Sequence, residues 1–213
     1  MRTIRWMASG LALVALMPAI GAAQSGRLFK NSWFWGAKTG LLSYSTNTGS
    51  KGIRPMVGAE WLITASRGAL YLSGDQTFFN ANSSIVGSSG QSYMVGIHDL
   101  RRYTAALLAF PASYGMLHPY GGVGMSINII RSATVQDPVA AGDETLVAAE
   151  LQDEKSRASF IALAGLQVQY QRFSVFGQVT YMPTENGFLL NARPSYLLEA
   201  GIRFNVSSAQ DRP

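Results

Sequence analysis

Cysteine is absent from the chain. In an oxidising, exported location the fold must therefore hold without disulfides or thiolate metal sites. Long apolar runs are also missing. The nearest approach, Gly10 to Met17, is broken by Pro18 and falls short of the roughly 20 residues a membrane-spanning helix needs. Charge is sparse, at 14% of residues, and scattered, with Arg101-Arg102 the only adjacent basic pair. No basic run is interleaved with aromatics, so a nucleic-acid partner is not expected. With two histidines and no cysteine, neither a structural zinc site nor any other metal centre or cofactor is expected.

The first 23 residues read as an export signal. Arg2 and Arg5 make a basic start, Gly10 to Met17 an apolar core, and Gly21-Ala22-Ala23 a small-residue cleavage site. The mature chain is expected to begin at Gln24. Losing Arg2 and Arg5 lowers the 17 basic residues to 15 against 12 acidic ones, a net charge of +3. The remaining chain, 24–213, is the length of one domain.

What is present is alternation. Successive strand side chains point to opposite faces, and a barrel wall facing lipid must be apolar at every second residue. Eight segments fit: 33–45, 53–63, 69–79, 93–110, 119–131, 157–170, 173–182 and 195–204. In the last, Tyr196, Leu198, Ala200, Ile202 and Phe204 share one face, opposed by Glu199, Gly201 and Arg203. In the fifth, Val123, Met125, Ile127 and Ile129 face outward and Gly122, Gly124, Ser126 and Asn128 inward. The fourth is irregular, because neither register keeps His98, Asp99, Arg101 and Arg102 all off the lipid face. A bulge, or extension above the membrane, would resolve it.

Connection lengths and aromatics supply separate tests. Links two, four and six are short (Thr64 to Gly68, Pro111 to His118, Gln171-Arg172), whereas the odd-numbered links are long, Ser132 to Ser156 most of all. Outer-membrane barrels have short periplasmic turns and longer outer loops, which puts both termini in the periplasm, with a short tail over 205–213. Aromatics gather at both expected interfaces, among them Trp33, Trp35, Trp61, Phe173 and Phe204 at one end and Tyr44, Tyr181 and Tyr196 at the other. A soluble barrel would alternate too. Its core, however, would be poorly filled by the glycine and charge found inward on segments one, five and eight. The expected fold is an all-β, eight-stranded, antiparallel, up-and-down transmembrane barrel in a Gram-negative-type outer membrane.

Trp33-Phe34-Trp35-Gly36-Ala37-Lys38-Thr39-Gly40, ending Ser43-Tyr44, resembles the opening strand of the OmpA-type transmembrane domain. Other landmarks follow in order: Val57-Gly58-Ala59-Glu60, Tyr120-Gly121-Gly122-Val123-Gly124, Ala164 to Tyr170, and the closing Leu198-Glu199-Ala200-Gly201-Ile202-Arg203-Phe204. Their order and spacing carry the resemblance over nearly the whole mature chain. It implies a polar, largely plugged interior. It also implies insertion by the outer-membrane assembly machinery, which reads the aromatic-ended last strand (Tyr196, Leu198, Ile202, Phe204), after delivery by periplasmic chaperones. The peptidoglycan-binding domain of larger OmpA proteins is not expected, since nine residues follow Phe204.

Parity points Lys38, Glu60, Asp75, Glu199 and Arg203 inward. In so narrow a lumen these opposite charges are expected to pair. The resemblance matches Lys38 to an interior lysine that belongs to a salt-bridge network blocking or gating the pore. A stabilising plug is favoured over a gate, because eight strands leave little room beyond side chains. The rival class is a lipid A-modifying enzyme built on a Ser-His pair. Yet His98 is followed by Asp99-Leu100 and His118 by Pro119-Tyr120, and neither forms the His-x-Ser arrangement of lipid A deacylases. His98 and Asp99 could join a loop serine such as Ser92. His118 falls in an expected periplasmic turn.

Asp137, Asp143, Glu144, Asp153 and Glu154 read as a solvated loop, and Thr46 to Lys51, Asn80 to Gly90 and Thr184 to Asn191 as polar outer loops. The expected function is a non-enzymatic, monomeric envelope barrel in contact with outer-membrane lipids and lipopolysaccharide. Its alternatives are the lipid A-modifying enzyme and a narrow gated pore.

Overall fold

Eight runs of alternating residues become eight strands that close on themselves. The computed structural model describes residues 29–87, 90–140, 142–184, 188–190 and 193–208. The expected signal peptide, 1–23, lies outside them. The strands are β1 (Ser32–Ser45), β2 (Lys51–Thr64), β3 (Gly68–Val86), β4 (Ser92–Ala109), β5 (Leu117–Val135), β6 (Ser156–Tyr170), β7 (Phe173–Met182) and β8 (Ser195–Ser208). Helix α1 (Glu144–Glu154) stands between β5 and β6. Each strand is antiparallel to its sequence neighbours, and β1 pairs with β8 to close the ring, Trp35 opposite Phe204 and Lys38 opposite Gly201. Closure leaves the barrel without an open sheet edge along the paired wall.

Pleating sorts the side chains as the alternation dictates. On β6, Phe160, Leu166, Val168 and Tyr170 are exposed, while Ser159, Ile161, Leu163, Gln167 and Gln169 are buried inside. On β8, Tyr196, Leu198, Ile202 and Phe204 point out, and Leu197, Glu199 and Arg203 point in.

The irregularity of the fourth segment is a bulge. Below it Leu100, Arg102 and Thr104 face inward; above it Tyr93, Val95 and Ile97 do, so the inward parity switches across Asp99. The β3–β4 ladder shifts at the same place, with Thr77 opposite Leu100 but Asn80 opposite His98, so that Phe78 and Phe79 together face Asp99. Asp99 has a φ of 53°, the left-handed conformation that short polar side chains tolerate and branched ones resist. Below the bulge the alternation of the lower strand is unbroken, which puts Arg102 in the lumen and Arg101 on the outer wall.

The ends of the barrel differ from expectation in four ways, three at the outer end and one at the other. Asn80 to Val86, read as loop, continues β3, because Ala81, Ser83 and Ile85 keep the inward parity beneath a polar composition. Phe188, Leu189 and Leu190, read within a polar loop, are buried in the barrel's outer end, where Ser83 Oγ donates to the Leu189 carbonyl at 3.0 Å. The acidic stretch is not simply solvated. Asp143 is buried and accepts from Tyr93 OH at 2.9 Å, and burial, then Glu150 and Asp153, raise the Glu154 carboxyl above its ordinary range. Finally β8 runs to Ser208, and Asn205 N donates to the Arg172 carbonyl at 2.7 Å. The expected tail over 205–213 thus begins as strand, and 209–213 lie outside the described residues.

If the conformation at Asp99 sets the bulge, Asp99→Val destabilises the barrel by about 1–2 kcal/mol, whereas Asp99→Gly matches or exceeds the parent. Urea unfolding midpoints of protein refolded into lipid vesicles measure both. Equal losses in the two variants would show that the left-handed φ is unimportant.

Candidate functional site

The lumen holds three cations and three carboxylates among the described residues: Lys38, Arg102 and Arg203 against Glu60, Asp75 and Glu199, each 7% exposed or less. Burial of this kind requires partners, because a desolvated charge left alone costs several kcal/mol. The strand registers provide them.

Lys38 on β1 makes the first cluster. Its Nζ donates to Glu199 Oε1 at 2.5 Å, to Tyr71 OH at 2.8 Å and to Ser73 Oγ at 3.1 Å. An ammonium has three protons, and these acceptors use them all. Asp75 Oδ1, 3.0 Å from Nζ, is therefore held by charge alone and accepts no hydrogen bond there. Glu199 Oε2 in turn accepts from Gln178 Nε2 at 2.7 Å and Thr180 Oγ1 at 3.1 Å.

Arg203 on β8 makes the second. Its Nε donates to Glu60 Oε1 and its Nη1 to Gln167 Oε1. The guanidinium lies 3.8 Å from the centre of the Phe176 ring and 5.6 Å from that of Tyr120, within range of the attraction between a cation and an aromatic face. Glu60 Oε2 and Arg203 Nη2 have no hydrogen-bond partner among the described residues. Tyr120 OH donates to Gln178 Oε1 at 2.9 Å, linking the two clusters.

Arg102 stands apart. Its Nε donates to Asn128 Oδ1 at 2.7 Å, and Asn128 continues to Ser126 and Ser159. No carboxylate among the described residues lies within ion-pairing distance of it. Beside it is a cavity of about 20 Å³, lined also by Leu42, Leu100 and Phe188, with room for one water.

Two glycines make space for these groups. A Cβ on Gly58 would collide with Asp75 Oδ1, and one on Gly201 would meet the Phe176 ring at 2.7 Å, the ring on which Arg203 rests. The small inward residues of the alternation are thus places where a neighbour's long side chain crosses the wall.

All five charged residues named from parity lie in the lumen, and the structure joins Lys38 to Asp75 and Glu199, and Arg203 to Glu60. Sequence reasoning missed Arg102, hidden by the bulge, and the neutral partners Tyr71, Tyr120, Gln167 and Gln178, which share the inward parity but carry no charge to attract notice. Tyr196, Leu198, Ile202 and Phe204 occupy the outer face of β8. His118 is not in a turn. It is buried on β5 and stacks on Phe29, ring centres 4.8 Å apart at 8°. His98 is exposed on β4, and no hydrogen bond joins it to a serine or carboxylate among the described residues.

No protein-family model matches the chain, and no curated protein sequence does. Among solved structures it is similar to Neisserial surface protein A, at 12% identity over 81% of this chain and 96% of that one, with a TM-score of 0.53. Ail, the attachment invasion locus protein of Yersinia pestis, matches at 14% identity over 82% and 99%, with a TM-score of 0.47. Outer membrane protein OprG from Pseudomonas aeruginosa matches at 11% over 84% and 95%, also at 0.47. The likeness to the Neisserial protein is one of fold.

Replacing Arg203 by Met strands the Glu60 carboxylate, and the expected loss is about 3–5 kcal/mol. Adding Glu60→Gln to that variant recovers part of it. Urea unfolding of the three proteins in lipid vesicles tests this. A single variant as stable as the parent would mean that the pair contributes nothing.

Proposed function

We propose that the protein is an integral outer-membrane barrel with a closed lumen, acting through its wall and outer loops without enzymatic chemistry. One observation carries this reading: the molecule is inside out. Leu107, Val123 and Phe160 are 68%, 66% and 69% exposed, while Arg203 and Glu60 are 0% and 2% exposed. In water that arrangement forfeits apolar burial and desolvates charge. In a bilayer, hydrocarbon meets the apolar wall and every backbone group is paired within the ring.

The girdles support the same reading. Trp33, Trp35 and Trp61 pack together on the outer face of β1 and β2, Trp35 stacked on Trp61 at 5.3 Å, where amphipathic rings suit a headgroup level. Phe173 and Phe204 form a second pair at that end, and Tyr181 and Tyr196 one at the other. Short links at the Trp end fit a periplasmic side carrying both termini, which makes the longer loops and α1 the outer surface. The solved barrel sharing this fold is itself named a surface protein. Outer-membrane lipids and lipopolysaccharide are then the immediate partners, with delivery by periplasmic chaperones and insertion by the assembly machinery as a monomer.

A plug is favoured over a gate because both ion-paired clusters are held from several strands, and the space beside Arg102 takes one water. In planar bilayers the purified protein should pass no current steps over a wide voltage range. Stepwise conductance would favour the pore. Lipid A mass spectra should be unchanged by expression, and a new lipid A species would favour the enzyme. For the chain beginning at Gln24, tryptophan fluorescence should be quenched more by lipids brominated near the headgroup than by lipids brominated at the chain ends. The reverse order, or no quenching, would sink the membrane reading.

A further inference from the structure

Two adjacent strands change character at one level of the outer wall. On β4 the outward series Leu107, Ala105, Tyr103 ends at Arg101, and on β5 the series Val123, Met125, Ile127, Ile129 ends at Arg131. Lys155, half-buried between α1 and β6, accepts at its carbonyl from the N–H of the inward Ile130 at 2.8 Å. Arg101 is opposite Ile129 in the ladder, which makes Arg131 its diagonal neighbour, with Cβ atoms about 7–8 Å apart. Both arginines are exposed.

These cations are unlike those of the lumen. Arg101 Nε donates to the Gln76 side chain at 3.2 Å, which lays the arginine along the wall toward β3. Its terminal nitrogens make no further hydrogen bond among the described residues. Asp99 faces Arg131 across the ladder, and Glu150, Asp153 and Glu154 lie on the nearby helix. Even so, no carboxylate among the described residues comes within 4.0 Å of Arg101, Arg131 or Lys155. At β7 and β8 the outward series ends instead in Tyr181 and Tyr196, while other exposed cations stand at the outer end of β2 (Lys51, Arg54) and just before β8 (Arg193).

An exposed cation at the border of hydrocarbon is drawn to the anions of the headgroup layer. Guanidinium groups match the oxygens of a phosphate two at a time. We infer that Arg101 and Arg131 form a binding site for the phosphate of an outer-leaflet glycolipid. This deepens the outer-membrane reading and rests on it. Arg101 is the last outward residue of the regular lower part of β4, directly below the bulge at Asp99.

The test uses the folded protein in zwitterionic micelles doped with diphosphoryl lipid A, and native mass spectrometry of the lipid retained. The parent should retain lipid A, and Arg101→Gln/Arg131→Gln should retain about tenfold less, a change of about 1.4 kcal/mol. Arg101→Lys/Arg131→Lys should fall between them, and Arg172→Gln, at the opposite end, should match the parent. Dephosphorylated lipid A should be retained by none. Equal retention by the double glutamine variant, equal retention of dephosphorylated lipid A, or displacement by millimolar inorganic phosphate would overturn the site. Gel mobility before and after boiling, with insertion into vesicles free of lipid A, separates the two levels. A barrel that inserts but retains no lipid A overturns this inference alone, whereas one that does not insert overturns the membrane reading as well.

Discussion

A ring of eight strands encloses a space barely wider than the side chains that line it, and that space decides most of what this protein can be. Once the apolar half of each strand is committed to the outside, polar and charged groups have nowhere else to go. Water cannot attend them there in quantity, so they must attend one another. Lys38 uses all three of its protons, and Arg203 divides its guanidinium between a carboxylate, an amide and an aromatic face. The result is a filled interior, in which the cavity beside Arg102 has the size of a single solvent molecule.

The same crowding explains the glycines. Gly58 and Gly201 sit where a longer residue would take the place of Asp75 or of the Phe176 ring. Size on one strand is matched to size on the next, and the charge network depends on that matching as much as on its own attraction. The outer end is closed differently, by an apolar packing of Ile85, Val95, Ile97 and Leu189. A polar plug and an apolar cap thus lie in series along one axis.

Much of this was legible because parity is a strict rule in a strand. Lys38, Glu60, Asp75, Glu199 and Arg203 were assigned inward by counting alone, and the eight strands by the same count. Counting failed where the rule is locally broken. One extra residue opposite Asp99 reverses inside and outside for the upper part of β4, so Arg102 could not be placed. It failed again where composition disguised the pattern. Asn80 to Ser84 alternate correctly but are small and polar, and Phe188 to Leu190 follow a loop-like stretch with no period to read. His118 falls in a turn when the fifth segment is taken to start at residue 119, but β5 begins at Leu117 and turns the ring inward onto Phe29.

The charge pairs also bear on when this barrel becomes itself. Among the described residues, two of the three ion pairs of the lumen cross the closing seam: Glu199 and Arg203 belong to β8, and their partners Lys38 and Glu60 stand 161 and 143 positions earlier. Until β8 docks on β1, Glu60 and Arg203 lack each other and Lys38 has Asp75 as its one carboxylate, so water must make up the difference. An unclosed sheet therefore has reason to stay at the aqueous border, and the act of zipping removes that reason. Commitment to the bilayer and completion of the circle become one event, timed by the arrival of β8 at β1.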